Sequence, residues 1–208
     1  MDRDFITHVI DCSSMKLVTL EQGMSYVALS YVWGSKSVAQ DTVPAAKNPI
    51  LPNNIPLTIA DAIKVTRALN QQYLWVDRYC ILHSQSKPTQ IANLNKIYQG
   101  AWCTIIALDG RHADAGLAGI SRSRRAQKQL TTASGIFLTT LPHILHGLNT
   151  SKWTTRAWCY QEAILSPGHL FSQNPRFTLY ASRAWLRKLV IAFLLLTVLV
   201  DKASLRLR

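Results

Sequence analysis

The chain has 208 residues, 48% of them hydrophobic and 16% charged, and carries a formal net charge of +12. That length and apolar content suit a single domain with a sizeable core and exclude a disordered polyelectrolyte. The positive charge raises nucleic acid as a partner, but its two clusters, one of Arg111, Arg122, Arg124, Arg125 and Lys128 and one of Arg183, Arg187, Lys188, Lys202, Arg206 and Arg208, are not interleaved with aromatics as a stacking platform requires, so nucleic acid is not expected.

Taken in order, residues 5–10 and 16–20 read as two short strands of a hairpin, turned at Asp11, Cys12, Ser13 and Ser14. Residues 26–34, Tyr-Val-Ala-Leu-Ser-Tyr-Val-Trp-Gly, then form a nearly unbroken apolar run. Such a run suits a strand covered on both faces, as in a parallel sheet, and Gly34, Ser35, Lys36 and Ser37 turn it into a loop. Ligands of open α/β sheets sit outside the carboxyl ends of strands, so residues 33–37 are the first place to expect a site. Residues 35–56 lose all periodicity and carry Pro44, Pro49 and Pro52 ahead of Pro56, which makes them a loop over that end.

Thr58-Ile59-Ala60-Asp61 resembles a capping box, and Ile59, Ala62, Ile63, Thr66 and Leu69 recur at helical spacing up to about Asn70. Residues 73–77, Tyr-Leu-Trp-Val-Asp, follow as a second strand, with Asp77 at the same sheet edge as Trp33 if the strands are parallel. Residues 78–88 read as a polar loop. Thr89 caps a helix whose apolar face is Ile91, Leu94, Tyr98 and Ala101, and residues 103–108 are a third strand stopped by Asp109 and Gly110. This alternation predicts an α/β fold, a parallel sheet with helices on its faces.

Residues 109–150 form an irregular insertion with one expected strand at 136–139. Residues 153–165 read as a helix stopped by Ser166, Pro167 and Gly168, and 169–172 and 176–180 as extended pieces. The apolar run 189–200, bracketed by Arg187, Lys188, Asp201 and Lys202, is shorter than the about 20 residues a bilayer-crossing helix needs. A core or interfacial helix is expected there, and membrane contact only through it.

The four cysteines lack paired short spacings, Cys80 and His83 have no second pair to complete a zinc site, and no signal peptide opens the chain. A reduced, cytoplasmic protein with buried structural thiols and no metal or resident cofactor is expected. No phosphate-binding G-x-x-x-x-G-K-[ST], nucleophile elbow or H-E-x-x-H is present, which disfavours nucleotide kinases, elbow-type hydrolases and zincins. One carboxylate stands apart: Glu162 lies four residues after Trp158 and three before Leu165, sharing a helix face with both. An apolar setting of that kind raises a carboxyl pKa and suits it to acid/base or electrostatic work, although a helical glutamate is more often a solvated charge or a partner for Arg156. Asp77 has the same standing, since an acid at a strand end commonly caps the next turn. Trp33, Trp75, Trp102 and Trp158 read first as core residues.

Residues 26–34, then 73–77 with Cys80 and Ile81, then Ile97, Tyr98, Ala101, Thr104 and Ile105, then Arg156, Ala157, Trp158, Gln161, Glu162, Leu165 and Ser166, resemble the successive blocks of the fungal heterokaryon incompatibility (HET) domain. The resemblance covers roughly residues 5–180 and divides the chain into a domain at 1–180 and a basic, apolar tail at 181–208, helical in expectation. It implies fungal non-self recognition leading to cell death. HET domains are distantly similar to TIR domains, so the resemblance implies a TIR/flavodoxin-like parallel sheet flanked by helices. Some TIR domains cleave NAD with a glutamate four residues after a tryptophan, the spacing of Trp158 and Glu162. By that similarity Glu162 is the catalytic residue, Ser30, Tyr31, Trp33, Gly34, Asp77 and Trp158 line the site, and NAD is a substrate. The alternatives are a non-enzymatic module that assembles with itself or with other signalling proteins, or a degenerate, truncated copy without activity. The last follows from departures such as Leu82-His83-Ser84 after Ile81, where the family carries glutamine and acids, and Ala157, where it carries glycine.

Overall fold

The computed structural model describes residues 8–34, 50–81, 87–122, 129–131, 137–139, 144–156, 159, 165–173 and 176–181. Its strands are β1 (His8–Asp11), β2 (Lys16–Thr19), β3 (Tyr26–Ser30), β4 (Tyr73–Trp75), β5 (Cys103–Ala107), β6 (Gln129–Thr131), β7 (Phe137–Thr139), β8 (Gly168–Gln173) and β9 (Arg176–Ala181). Its helices are α1 (Leu57–Ala68), α2 (Asp77–Cys80), α3 (Lys87–Ala92), α4 (Leu94–Gly100) and α5 (Ile144–Thr150), with 3-10 turns at Ala113–Ala115 and Trp153–Thr155.

Seven strands form one mixed sheet in the order β2-β1-β4-β3-β5-β8-β9, and β6 and β7 form a separate ribbon. Its centre, β4-β3-β5-β8, is parallel, while β1 and β9 join it antiparallel. Counted in chain order among themselves, the parallel strands run 2-1-3-4, the opening of the flavodoxin-like order. The α/β expectation therefore holds, and the switch point of the sheet falls between β3 and β5.

The unbroken apolar runs explain the central strands: all five residues of β3 and all five of β5 are buried, as a sheet with helices on both faces requires. Helix α1 packs Ile59, Ala62, Ile63 and Val65 against them, and Leu69 just beyond its end joins the same core. On α4, Ile97 and Tyr98 are buried. The Ile97 carbonyl accepts the Tyr26 hydroxyl at 2.6 Å, and Tyr98 meets Trp75 edge-on with ring centroids 5.7 Å apart.

Several boundaries differ from expectation. Helix α1 starts at Leu57 behind Pro56 without any side-chain cap. Thr58 and Asp61 reach instead to a loop some 60 positions away. The second strand ends at Trp75, and Asp77 opens α2, where its carboxylate takes the Arg78 N–H at 2.7 Å. The single helix expected after Thr89 is two, broken at Asn93, and Ile91 is correspondingly exposed. The insertion holds a ribbon and α5 rather than one strand.

The helix expected over 153–165 does not begin at Trp153: Trp153–Thr155 is a 3-10 turn and Arg156 is extended, with φ −92° and ψ 132°, whereas Cys159 and Leu165 are helical. Here the Thr154 and Thr155 hydroxyls donate to the Leu148 and Lys152 carbonyls, offering the backbone an alternative to helix. Trp158, Glu162 and the run 189–200 lie outside the described residues. Among the described residues no helix is long and apolar enough to cross a membrane.

Candidate functional site

Beyond Ser30 the chain leaves β3 at the carboxyl edge of the sheet, and each of the next four residues is fixed by a different partner. The buried Ser30 hydroxyl accepts the Trp153 indole N–H at 2.6 Å. The Tyr31 carbonyl accepts a guanidinium N–H of Arg156. Burial, reinforced by the negative charge of Asp77, holds the Tyr31 phenol well above its ordinary pKa, so it stays protonated. Val32 joins Ile106, Leu108, Trp153, Cys159 and Phe171 in a second apolar cluster.

Trp33 then turns outward, 45% exposed. Its indole N–H donates to Asp77 Oδ2 at 3.0 Å, and the Arg78 guanidinium carbon stands 5.8 Å from the ring centroid, a cation–π distance. The Trp33 carbonyl accepts the Ala113 N–H at 3.1 Å. Gly34 has φ +88°, which an L side chain rarely adopts. A Cβ at Gly34 would lie 2.6 Å from that of His112, so the loops leaving β3 and β5 touch at the switch point and glycine is needed there twice over.

The loop after β5 is tied down by α1 and β8. Asp61, fully buried, accepts the Leu117 and Ser121 N–H groups on Oδ2 at 2.9 and 3.2 Å and the Ser121 hydroxyl on Oδ1 at 2.5 Å. Lys64 Nζ sits 3.1 Å from the same Oδ1. Thr58 accepts the Gly116 N–H at 3.1 Å and Ser172 the Ala118 N–H at 3.0 Å. With Ala113 and Leu117 buried beneath it, this loop packs over the carboxyl ends of β3 and β5.

Of the expected site residues, the structure brings Trp33 and Asp77 into contact, with Tyr31 and Gly34 flanking them. Ser30 lies in the same turn, but its hydroxyl is engaged by Trp153. Trp158 and Glu162 lie outside the described residues. Sequence reading missed Thr58 and Asp61, whose spacing imitates a cap, and also Arg78, Ser121 and Trp153, which carry no local signal; Arg156 stands out only as part of the family block and not for its bond to Tyr31. The four cysteines are buried thiols, and burial pushes Cys12 and Cys80 up to about 12 and Cys103 higher still.

The family model described as Heterokaryon incompatibility protein (HET) matches residues 26–162, well over half of the chain. This chain belongs to the heterokaryon incompatibility family. No curated protein and no solved structure matches it. As a HET domain it has a role in heterokaryon incompatibility. The matched stretch opens on the first residue of β3 and closes on Glu162, so it contains every residue expected to form the site.

Proposed function

We propose that this HET domain acts in fungal non-self recognition and cell death by hydrolysing the N-glycosidic bond of NAD, with Glu162 as the catalytic carboxylate. In that reaction the bond between nicotinamide and ribose C1′ breaks and its electron pair leaves on the ring nitrogen. Water adds to the oxocarbenium-like C1′ and loses a proton, giving ADP-ribose. A carboxylate beside C1′ stabilises the positive charge or holds the ribose hydroxyls, as glycosidase carboxylates do.

The supporting observation is the fastening of the chain that leads to Glu162. Trp153 donates to Ser30, Arg156 donates to the Tyr31 carbonyl, and Cys159 packs with Val32, all at the carboxyl end of β3. Cys159, three positions before Glu162 in the sequence, is thus held beside the Tyr31–Gly34 turn. The 2-1-3-4 order of the parallel strands puts that turn where open α/β sheets bind ligands.

The test is to incubate the purified chain with NAD and follow free nicotinamide, comparing wild type with Glu162→Gln. Release by the wild type that falls at least a hundredfold in the variant supports the reading. No release by either, at concentrations where the protein self-associates, refutes it and leaves a module that signals by assembly.

A further inference from the structure

Trp33 breaks the pattern of its own segment: residues 26 to 32 are buried and Trp33 is 45% exposed. Exposed side chains ordinarily sample several rotamers, but this one is held at both ends. Its indole N–H is bound by Asp77 Oδ2 and its carbonyl by the Ala113 N–H, and Gly34 behind it is pressed against His112. The side chain is therefore held in place while it faces water at the carboxyl edge of the sheet.

The charge beside the ring is cationic. Arg78 stands over the indole, and Arg156 reaches the carbonyl two residues before it. Asp77 adds a negative charge, but Trp33 occupies one of its oxygens and the Arg78 backbone N–H the other, so it holds the ring beside the residue whose guanidinium stands over it. A fixed aromatic surface flanked by a guanidinium is complementary to a ligand that joins a flat ring to phosphate groups.

We propose that Trp33 and Arg78 form a subsite for a nucleoside diphosphate moiety, the base stacking on the indole and the diphosphate pairing with the guanidinium, with Asp77 as the positioning residue. The choice of ligand rests on the NAD-hydrolysing reading, since NAD carries this moiety; the choice of residues rests on the geometry.

Calorimetric titration of the full chain with ADP, adenosine and pyrophosphate separates the parts. ADP binds, and adenosine and pyrophosphate each bind at least about tenfold more weakly. Trp33→Ala weakens ADP and adenosine about tenfold and leaves pyrophosphate unchanged; Arg78→Gln weakens ADP and pyrophosphate and leaves adenosine unchanged. Trp33→Phe, which keeps a stacking ring but loses the N–H that Asp77 holds, binds ADP about threefold more weakly than wild type and more tightly than Trp33→Ala, and so guards against loss of fold as the cause. ADP bound equally by wild type, Trp33→Ala and Arg78→Gln, or not bound by wild type at millimolar concentration, overturns the proposal. Nicotinamide release by Trp33→Ala with an unchanged KM for NAD overturns the subsite while the activity stands. ADP binding that depends on both residues, without any nicotinamide release, upholds the subsite and removes the hydrolase reading.

Discussion

Asp61 offers the sharpest test of how the loop over the switch point is held. Replacing it by alanine strands the Leu117 N–H, which is buried, and the Ser121 N–H, which is partly buried; the Ser121 hydroxyl can rotate to another partner. A buried donor left without an acceptor costs about 1–3 kcal/mol, and the second, partly wetted donor costs about 1 kcal/mol. The Lys64 pair adds little, because Lys64 is 55% exposed and such pairs are worth at most about 0.5 kcal/mol after screening. The expected loss is therefore about 2–4 kcal/mol, or a fall in Tm of about 4–16 °C for a chain of this size. Asp61→Asn keeps an oxygen for both N–H groups and lets the Ser121 hydroxyl accept instead of donate, so it costs only about 1 kcal/mol. Urea unfolding followed by circular dichroism measures both, with an unchanged dependence on urea confirming that stability alone has moved. If Asp61→Asn is as harmful as Asp61→Ala, the charge and not the acceptor geometry holds the loop, and the reasoning fails.

Two further outcomes follow from the same geometry. Gly34→Ala adds left-handed strain to a contact of 2.6 Å with His112 and lowers stability by about 2–4 kcal/mol, whereas Gly23→Ala, at φ +92° but in open space, carries strain alone, about 1–2 kcal/mol; equal losses in thermal unfolding would refute the contact. The Cys80 thiol ionises at about 12 in the folded chain against 9.0 ordinarily, so its contribution is complete below pH 9 and is lost as pH rises toward 12, at up to about 1.4 kcal/mol per pH unit. Urea midpoints should accordingly hold from pH 7 to about 8.5 and fall above 9, with a shallower fall in Cys80→Ala; rapid iodoacetamide labelling of native Cys80 at pH 8.5 would contradict it.

The parts of the fold legible in the sequence are those set by local periodicity. β3 and β5 announce themselves because burial on both faces leaves no charged residue and a single hydroxyl, Ser30 or Thr104, beside the apolar ones in each, and α1 because Ile59, Ala62, Ile63, Thr66 and Leu69 fall on one stripe. What stays hidden depends on partners distant in the chain. Thr58 and Asp61 have the spacing of a cap, and the same spacing puts both on one helix face, where they meet a loop that no local pattern ties to them. Trp33 reads as a core residue that also opens the loop where a ligand is expected; the left-handed turn at Gly34 and the reach of Asp77 set it outside, and neither is visible without β4 alongside. The run from Trp153 has helical spacing, but the Thr154 and Thr155 hydroxyls take backbone carbonyls at its start, so residues 153–156 are not α-helical while Cys159 and Leu165 are.

The family match bears on how the site is supported. Residues 26–162 contain β4, β3 and β5, the three adjacent strands at the centre of the sheet, and every expected site residue. They do not contain β1 and β2 or β8 and β9, which pair on either side of that centre. A three-stranded parallel sheet would expose the edges of β4 and β5, and such edges invite pairing with other chains. The hairpins cover both: β1 takes β4, β8 takes β5, and among the described strands the outermost places pass to β2 and β9. β8 does more than close an edge, since its Ser172 holds the loop that packs over the switch point. The segments outside the match therefore determine whether the turn after β3 is presented as a fixed surface, and a chain reduced to residues 26–162 would lose that surface together with its sheet.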